Sequence, residues 1–239
     1  MTYSIINTGN SNGFEDDHAL LKNAARNDDA VVILGAESGK AFRELRDAAT
    51  KTAVLIELNG ECLGVHTGES RGTEGGNVLG FARFRLGTAA PTNLVELVRQ
   101  PRTSDTALAV AKSIFENAGL QVAACGDFSG RIIDRLVRPY YNAALTRLDE
   151  GLATADDLDT TLKLGLGYPE GPISLLERTG LAYHFEVTEE LFEAYGDAAY
   201  APSRRARVAH ARAVAQQQSQ SDALFPIPPG NGEIGRAHV

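Results

Sequence analysis

Cysteine is scarce: the 239 residues contain two, Cys62 and Cys125. Their isolation gives neither zinc-ligand spacing nor a disulfide framework, so each is expected to be a buried, reduced thiol and no metal site is expected. Basic charge is in deficit, with 23 Lys and Arg against 31 Asp and Glu and a net charge of −8. That balance lacks the field that draws a chain to nucleic acid or anionic lipid. No run approaches the roughly 18 apolar residues that span a bilayer. The opening Met1-Thr2-Tyr3-Ser4 lacks the basic start and apolar stretch of a secretory signal. A soluble cytoplasmic protein without nucleic-acid or membrane partners is therefore expected.

What is present is ordinary globular composition, 43% hydrophobic and 23% charged, long enough for one large domain or two small ones. Ser4-Ile5-Ile6 reads as a short strand before an Asn-, Ser- and Gly-rich turn at 7–13. Ala30–Leu34 and Ala53–Ile56 are continuous apolar runs, the mark of buried parallel strands, with a helix predicted between them over 40–49. A glycine-rich stretch at 60–76 precedes strands predicted at 78–86 and 94–98. Ser104 is placed to cap a helix carrying Leu108, Ala111, Ile114 and Phe115, and a last strand falls at 121–124.

From Asp127 the pattern is helical. Ile132, Leu136, Tyr140, Ala144 and Leu148 recur every fourth residue, Thr154 with Asp157 resembles a capping box, and Pro172 suits the first position of a further helix. The predicted fold class is α/β followed by all-α: a truncated Rossmann-like parallel sheet over 1–126, a helical domain over 127–217, and a disordered tail over 218–239. Residues 233–239, Glu-Ile-Gly-Arg-Ala-His-Val, read as translation of a sequencing-library adapter and are set aside from the fold.

Residues from about Leu94 to Pro202 resemble the 3-hydroxyacyl-CoA dehydrogenase family, four segments matching in order and spacing. They are Leu94-Val-Glu-Leu-Val98 with Pro101, Thr103 and Ser104; Gly130-Arg-Ile-Ile-Asp-Arg135 with Pro139-Tyr140 and Asn142-Ala-Ala144; Glu150-Gly151 with Ala155-Asp-Asp-Leu-Asp159; and Gly165-Leu-Gly-Tyr-Pro-Glu-Gly-Pro172 with Leu175-Leu176 and Gly180-Leu181. The resemblance implies NAD-linked oxidation of a 3-hydroxyacyl-CoA to the 3-ketoacyl-CoA, as in fatty-acid β-oxidation. A His would act as base, a Glu would support it, and a helical domain would close the site and form a homodimer.

Carried over residue by residue, the family's catalytic Glu corresponds to Glu96. On pattern alone Glu96 is either a buried, paired carboxylate or a solvated one on an edge strand. The family's His falls at Ala82 or Phe84, neither of which can take a proton. Arg83 or Arg85 is the expected neutralising partner of Glu96. Asn59 persists in the substrate-binding turn, but Gly60-Glu61-Cys62 replaces its hydroxyl-bearing residues, and Asp134 replaces a substrate-binding Asn. The first part of the Rossmann domain reads as deleted. Gly9 to Gly13 has the wrong spacing for a dinucleotide loop, and Gly165-x-Gly167 follows a helix rather than a strand. Gly35–Ala41 is one residue short of a P-loop and has Ala41 where Ser or Thr belongs. Of five His residues, only His66 lies where a replacement base could. Two readings stand: a dehydrogenase with an unusual NAD site, or a non-catalytic member that dimerises or binds acyl-CoA or a partner.

Overall fold

A computed structural model describes residues 2–25 and 29–224. The first half alternates strand and helix: β1 Ser4–Asn7, α1 Ala19–Lys22, β2 Ala30–Leu34, α2 Ser38–Glu44, β3 Ala53–Glu57, α3 Gly64–Thr67, β4 Val78–Arg83, β5 Leu94–Arg99, α4 Asp105–Asn117 and β6 Gln121–Gly126. The six strands form one sheet in sequence order. β1 to β4 are mutually parallel, β4 and β5 are antiparallel, and β6 runs parallel to β5. Every residue of β2 and β3 is buried, which is why both are unbroken apolar runs until Glu57. One face of the sheet packs on Leu20 and α4, the other on Phe42 and Leu63. Ser104 accepts from the Ala107 amide and caps α4, as its position in the sequence suggests.

Two element boundaries differ from the sequence reading. The helix predicted over 40–49 stops at Glu44, because Leu45 turns extended. A separate 3-10 turn follows at Ala48–Thr50, held by the Thr50 hydroxyl on the Asp47 carbonyl at 2.7 Å. β4 ends at Arg83 rather than at Leu86. Beyond it the chain turns at Gly87, whose φ of +53° and contact with the Thr179 carbonyl leave no room for a side chain. Thr88 donates to that same carbonyl at 2.9 Å, so this turn fastens the sheet to the helical half.

The second half contains α5 Ile132–Asp149, α6 Ala155–Leu166, α7 Pro172–Thr179, α8 Leu181–Tyr195 and α9 Arg204–Leu224. Their core gathers Tyr141, Leu145, Ile173 and Leu176, and Leu86 from the sheet half reaches into it. The tail expected from residue 218 is corrected in part, since α9 continues through the glutamine-rich stretch to Leu224. Residues 225–239, with the adapter-like end at 233–239, lie outside the described residues. Among the described residues no helix is long and apolar enough to cross a membrane. Both cysteines are free and half-buried rather than buried.

α7 starts at Gly171, which offers no capping side chain. Asp159 of α6 supplies the cap instead, accepting from the amides of Ile173 and Ser174 at 2.9 Å each and from the Ser174 hydroxyl at 2.5 Å. A Cβ at position 171 would fall 2.1 Å from the Asp159 carboxyl carbon, so the glycine makes room for the acid. Asp159→Ala should cost about 2–3 kcal/mol of stability, because two buried amides lose their acceptor. Urea denaturation measures it. A loss of less than about 0.5 kcal/mol would show that the cap is dispensable.

Candidate functional site

Glu96 lies in the middle of β5, flanked by β4 and β6, and is 1% exposed. The solvated, edge-strand reading is therefore excluded. Its neighbour across the antiparallel ladder is Ala82. Of the two positions considered for the family's His, the register places Ala82 beside the carboxylate, and a methyl group stands there.

The carboxylate is taken up by the helical half. The residue preceding α5 is Arg131, which makes no side-chain cap. The Ile132 and Ile133 amides donate to Glu96 at 2.5 and 3.1 Å, so a sheet residue caps the helix. Burial pushes the Glu96 carboxyl above its usual range, against the two amides that favour its charged form. The nearby Asp134 charge adds to the rise and Arg131 opposes it.

The expected ion pair with Arg83 or Arg85 is not formed. Arg83 donates to the carbonyls of Thr92, Gly13 and Pro91, and Arg85 to that of Ala89 at 2.7 Å. Each guanidinium is bonded to loop carbonyls, while the carboxylate is satisfied by α5. Arg131 is the cation that acts on Glu96, and it was not singled out from the sequence.

Asn59, Glu96 and Asp134 line one cleft of about 970 Å³ between the two halves. Asn59 accepts from the Asn12 side chain at 2.7 Å, and Asp134 accepts from Arg138 at 2.8 Å. Among the described residues no histidine lines the cleft. His66 is turned away from it, its ring packed where a Cβ on Gly39 would fall, 2.2 Å from the nearest ring atom, with Nε2 3.3 Å from Glu61. Its position in the chain suggested a replacement base, but the short α3 points the ring at α2.

Glu190 of α8 is a cleft residue that no sequence pattern singles out. Its Oε2 would lie 2.3 Å from a Cβ at Gly60, so a carboxylate fills the space beside the turn that lost its hydroxyls. Burial first, and then the charges of Glu61, Glu186, Asp134 and Glu193, raise its pKa. Chemically the cleft offers carboxylates without an imidazole.

Behind the cleft, His184 is fully buried between α5 and α8. Arg138 can only donate, so Nδ1 accepts from it at 3.2 Å and Nε2–H donates to the Asn142 oxygen at 2.9 Å. That fixes a neutral ring, and burial followed by the Arg138 charge lowers its pKa to about 3. Asp134, Arg138 and Asn142 recur every fourth residue on α5, the polar ridge beside its apolar stripe.

Residues 130–221 match the family model of the 3-hydroxyacyl-CoA dehydrogenase C-terminal domain. Over that segment the chain is similar to the 3-hydroxyacyl-CoA dehydrogenase family. It is 29% identical over 175 residues to a 3-hydroxybutyryl-CoA dehydrogenase of Mycobacterium tuberculosis, an overlap of 73% of this chain and 60% of the relative. It is 34% identical over 109 residues to one of Bradyrhizobium diazoefficiens, covering 46% of this chain and 37% of that protein. The crystal structure of (S)-3-hydroxybutyryl-CoA dehydrogenase PaaH1 from Ralstonia eutropha shares its fold, with a TM-score of 0.64 at 23% identity over 77% of this chain and 66% of that one. The chain thus spans 37% to 60% of the length of these two curated relatives.

Members of this dehydrogenase family depend on NAD, and the residues present do not fit it. In a doubly wound sheet of order 3-2-1-4-5-6 the dinucleotide lies in the crevice where strand order reverses. Among the described residues this sheet has no reversal, and β1 is its edge. A sheet without that reversal accords with the reduced Rossmann-like half expected from the sequence. The turns after β1 and β2 also bond to each other, Ala36 donating to the Gly9 carbonyl at 3.0 Å and Glu37 to the Thr8 hydroxyl at 3.1 Å.

The buried His184 gives a pH prediction. Above about 6.5 both folded and unfolded chains hold a neutral ring. As pH falls from there towards 3 only the unfolded chain takes up the proton, so stability is lost across that window, by at most about 1.4 kcal/mol per pH unit. His184→Gln keeps an acceptor for Arg138 and a donor for Asn142 but does not titrate. Urea midpoints at pH 7 and pH 5 should diverge more for the wild type than for the variant, and equal slopes would refute the assignment.

Proposed function

We propose that this chain is a family member without hydride-transfer activity, whose helical half acts by self-association. The carrying observation is the pairing of Ala82 with Glu96. General-base catalysis is worth about 10²–10⁴ in rate, and the position facing the retained carboxylate has no group to supply it. The carboxylate itself is bonded to two amides of α5. NAD is not bound in this reading, given the crevice described above.

Acyl-CoA as a tightly held ligand is less well supported. Six carboxylate side chains line the cleft against three arginines, an unfavourable field for an anionic thioester. Self-association draws support from the surface. Phe128, Ile132 and Leu136 are 57%, 38% and 71% exposed, and the last two are one turn apart on α5. Exposed apolar residues one turn apart favour an interface, and a two-fold homodimer is the simplest assembly that covers them. Free, half-buried thiols suit a cytoplasmic location.

Two measurements test this reading. NADH oxidation with acetoacetyl-CoA should show no turnover, whereas a family dehydrogenase assayed alongside does; activity that copurifies with the chain would sink the proposal. Sedimentation equilibrium should show a dimer that Leu136→Glu converts to a folded monomer. A wild-type chain that stays monomeric at every concentration would remove the self-association half.

A further inference from the structure

We propose that the Glu57 carboxylate occupies the seat of the dinucleotide's pyrophosphate and latches the turns after β1 and β2 into a form that excludes NAD. Glu57 is the last residue of β3 and is 5% exposed, although it ends a strand whose other residues are all apolar. Its side chain reaches sideways under both neighbouring turns. Oε2 accepts from the Gly35 amide at 2.6 Å, and Oε1 accepts from the Ser11 hydroxyl at 2.8 Å and the Gly13 amide at 3.2 Å. These donors lie at the carboxyl ends of parallel strands, where turn amides approach bound phosphates in a doubly wound sheet. Here they converge on an anion that the chain itself carries.

The two turns are packed tightly about Glu57. A Cβ at Gly35 would lie 2.2 Å from the Gly9 carbonyl oxygen, and one at Gly13 would lie 2.9 Å from Arg83 Cβ and 3.3 Å from Glu57 Oε1. Both glycines are thus in close approach to neighbouring chain, where a dinucleotide loop keeps its glycines in close approach to the ligand. Arg83 completes the arrangement by donating to the Gly13 carbonyl at 3.0 Å, holding the turn over β4. Burial raises the Glu57 pKa against these three donors, in keeping with a site closed to water.

The full chain is titrated with NADH, followed by its fluorescence, and with inorganic pyrophosphate, followed by calorimetry, for the wild type and for Glu57→Ser. The wild type should show no saturable response to either. Glu57→Ser, which frees the Gly13 and Gly35 amides, should bind pyrophosphate. Saturable NADH binding by the wild type that pyrophosphate displaces would overturn the latch, as would a folded Glu57→Ser with no pyrophosphate affinity. Should Glu57→Ser fail to fold, Glu57→Gln is read by hydrogen exchange: the Gly13 and Gly35 amides should exchange about tenfold faster, the loss of roughly one charge-assisted bond, with Val54 unchanged. Unaltered exchange at both glycines would also overturn it. NADH binding without turnover would remove the latch and leave the non-catalytic reading intact.

Discussion

The two halves of this protein meet on a buried carboxylate bonded to a pair of backbone amides, Glu96 with Ile132 and Ile133. A helix start leaves amides unsatisfied, and a buried carboxylate left alone costs several kcal/mol. Each cancels the other's penalty only if the sheet and α5 are docked, so the contact couples the folding of both. The same device recurs. Asp127 receives the Leu63 and Gly64 amides at 2.6 and 2.8 Å, and Asp159 does the same for α7. Glu57 applies it to two turns rather than to a helix. Charge-assisted bonds contribute about 1.5–3 kcal/mol each, enough for a pair to offset burial of the acid but not to exceed it by much. Removing either side therefore leaves the full penalty of the other.

This arrangement separates the retention of Glu96 from the retention of activity. A carboxylate that caps α5 is needed for docking whether or not a base stands beside it. The Ala82 methyl that faces Glu96 leaves the cap undisturbed. In the cleft Glu190 lies against Gly60, and burial, then its acidic neighbours, raise its pKa. Asp134 is engaged by Arg138, which is itself engaged by His184, so Asp134 serves the α5–α8 contact.

Much of this was legible in the sequence, because it depends on neighbours a few residues apart. Continuous apolar runs gave β2 and β3, the four-residue stripe gave α5, and Ser104 and Thr154 cap the helices they precede. The position of Glu96 was legible as well, through the resemblance of its strand. What the sequence did not reveal is held by contacts distant along the chain. Nothing local indicates that Glu96 bonds to amides 36 and 37 residues away, or that Arg83 turns to the carbonyl of Gly13. His66 is a matching case: its number places it near the cleft, and the direction of α3 takes it out. Glu190 could not have been paired with Gly60 by any spacing rule.

Glu96 braces the two halves against each other. Amide hydrogen exchange of the wild type and Glu96→Gln, read at Ile132 and Ile133, tests it most directly, because a glutamine can accept at one oxygen only. At least one of these amides should lose protection in the variant, exchanging about tenfold faster, the worth of one charge-assisted bond, while the amides of β2 and β3 are unaffected. Equal protection of both amides in the two proteins would contradict it.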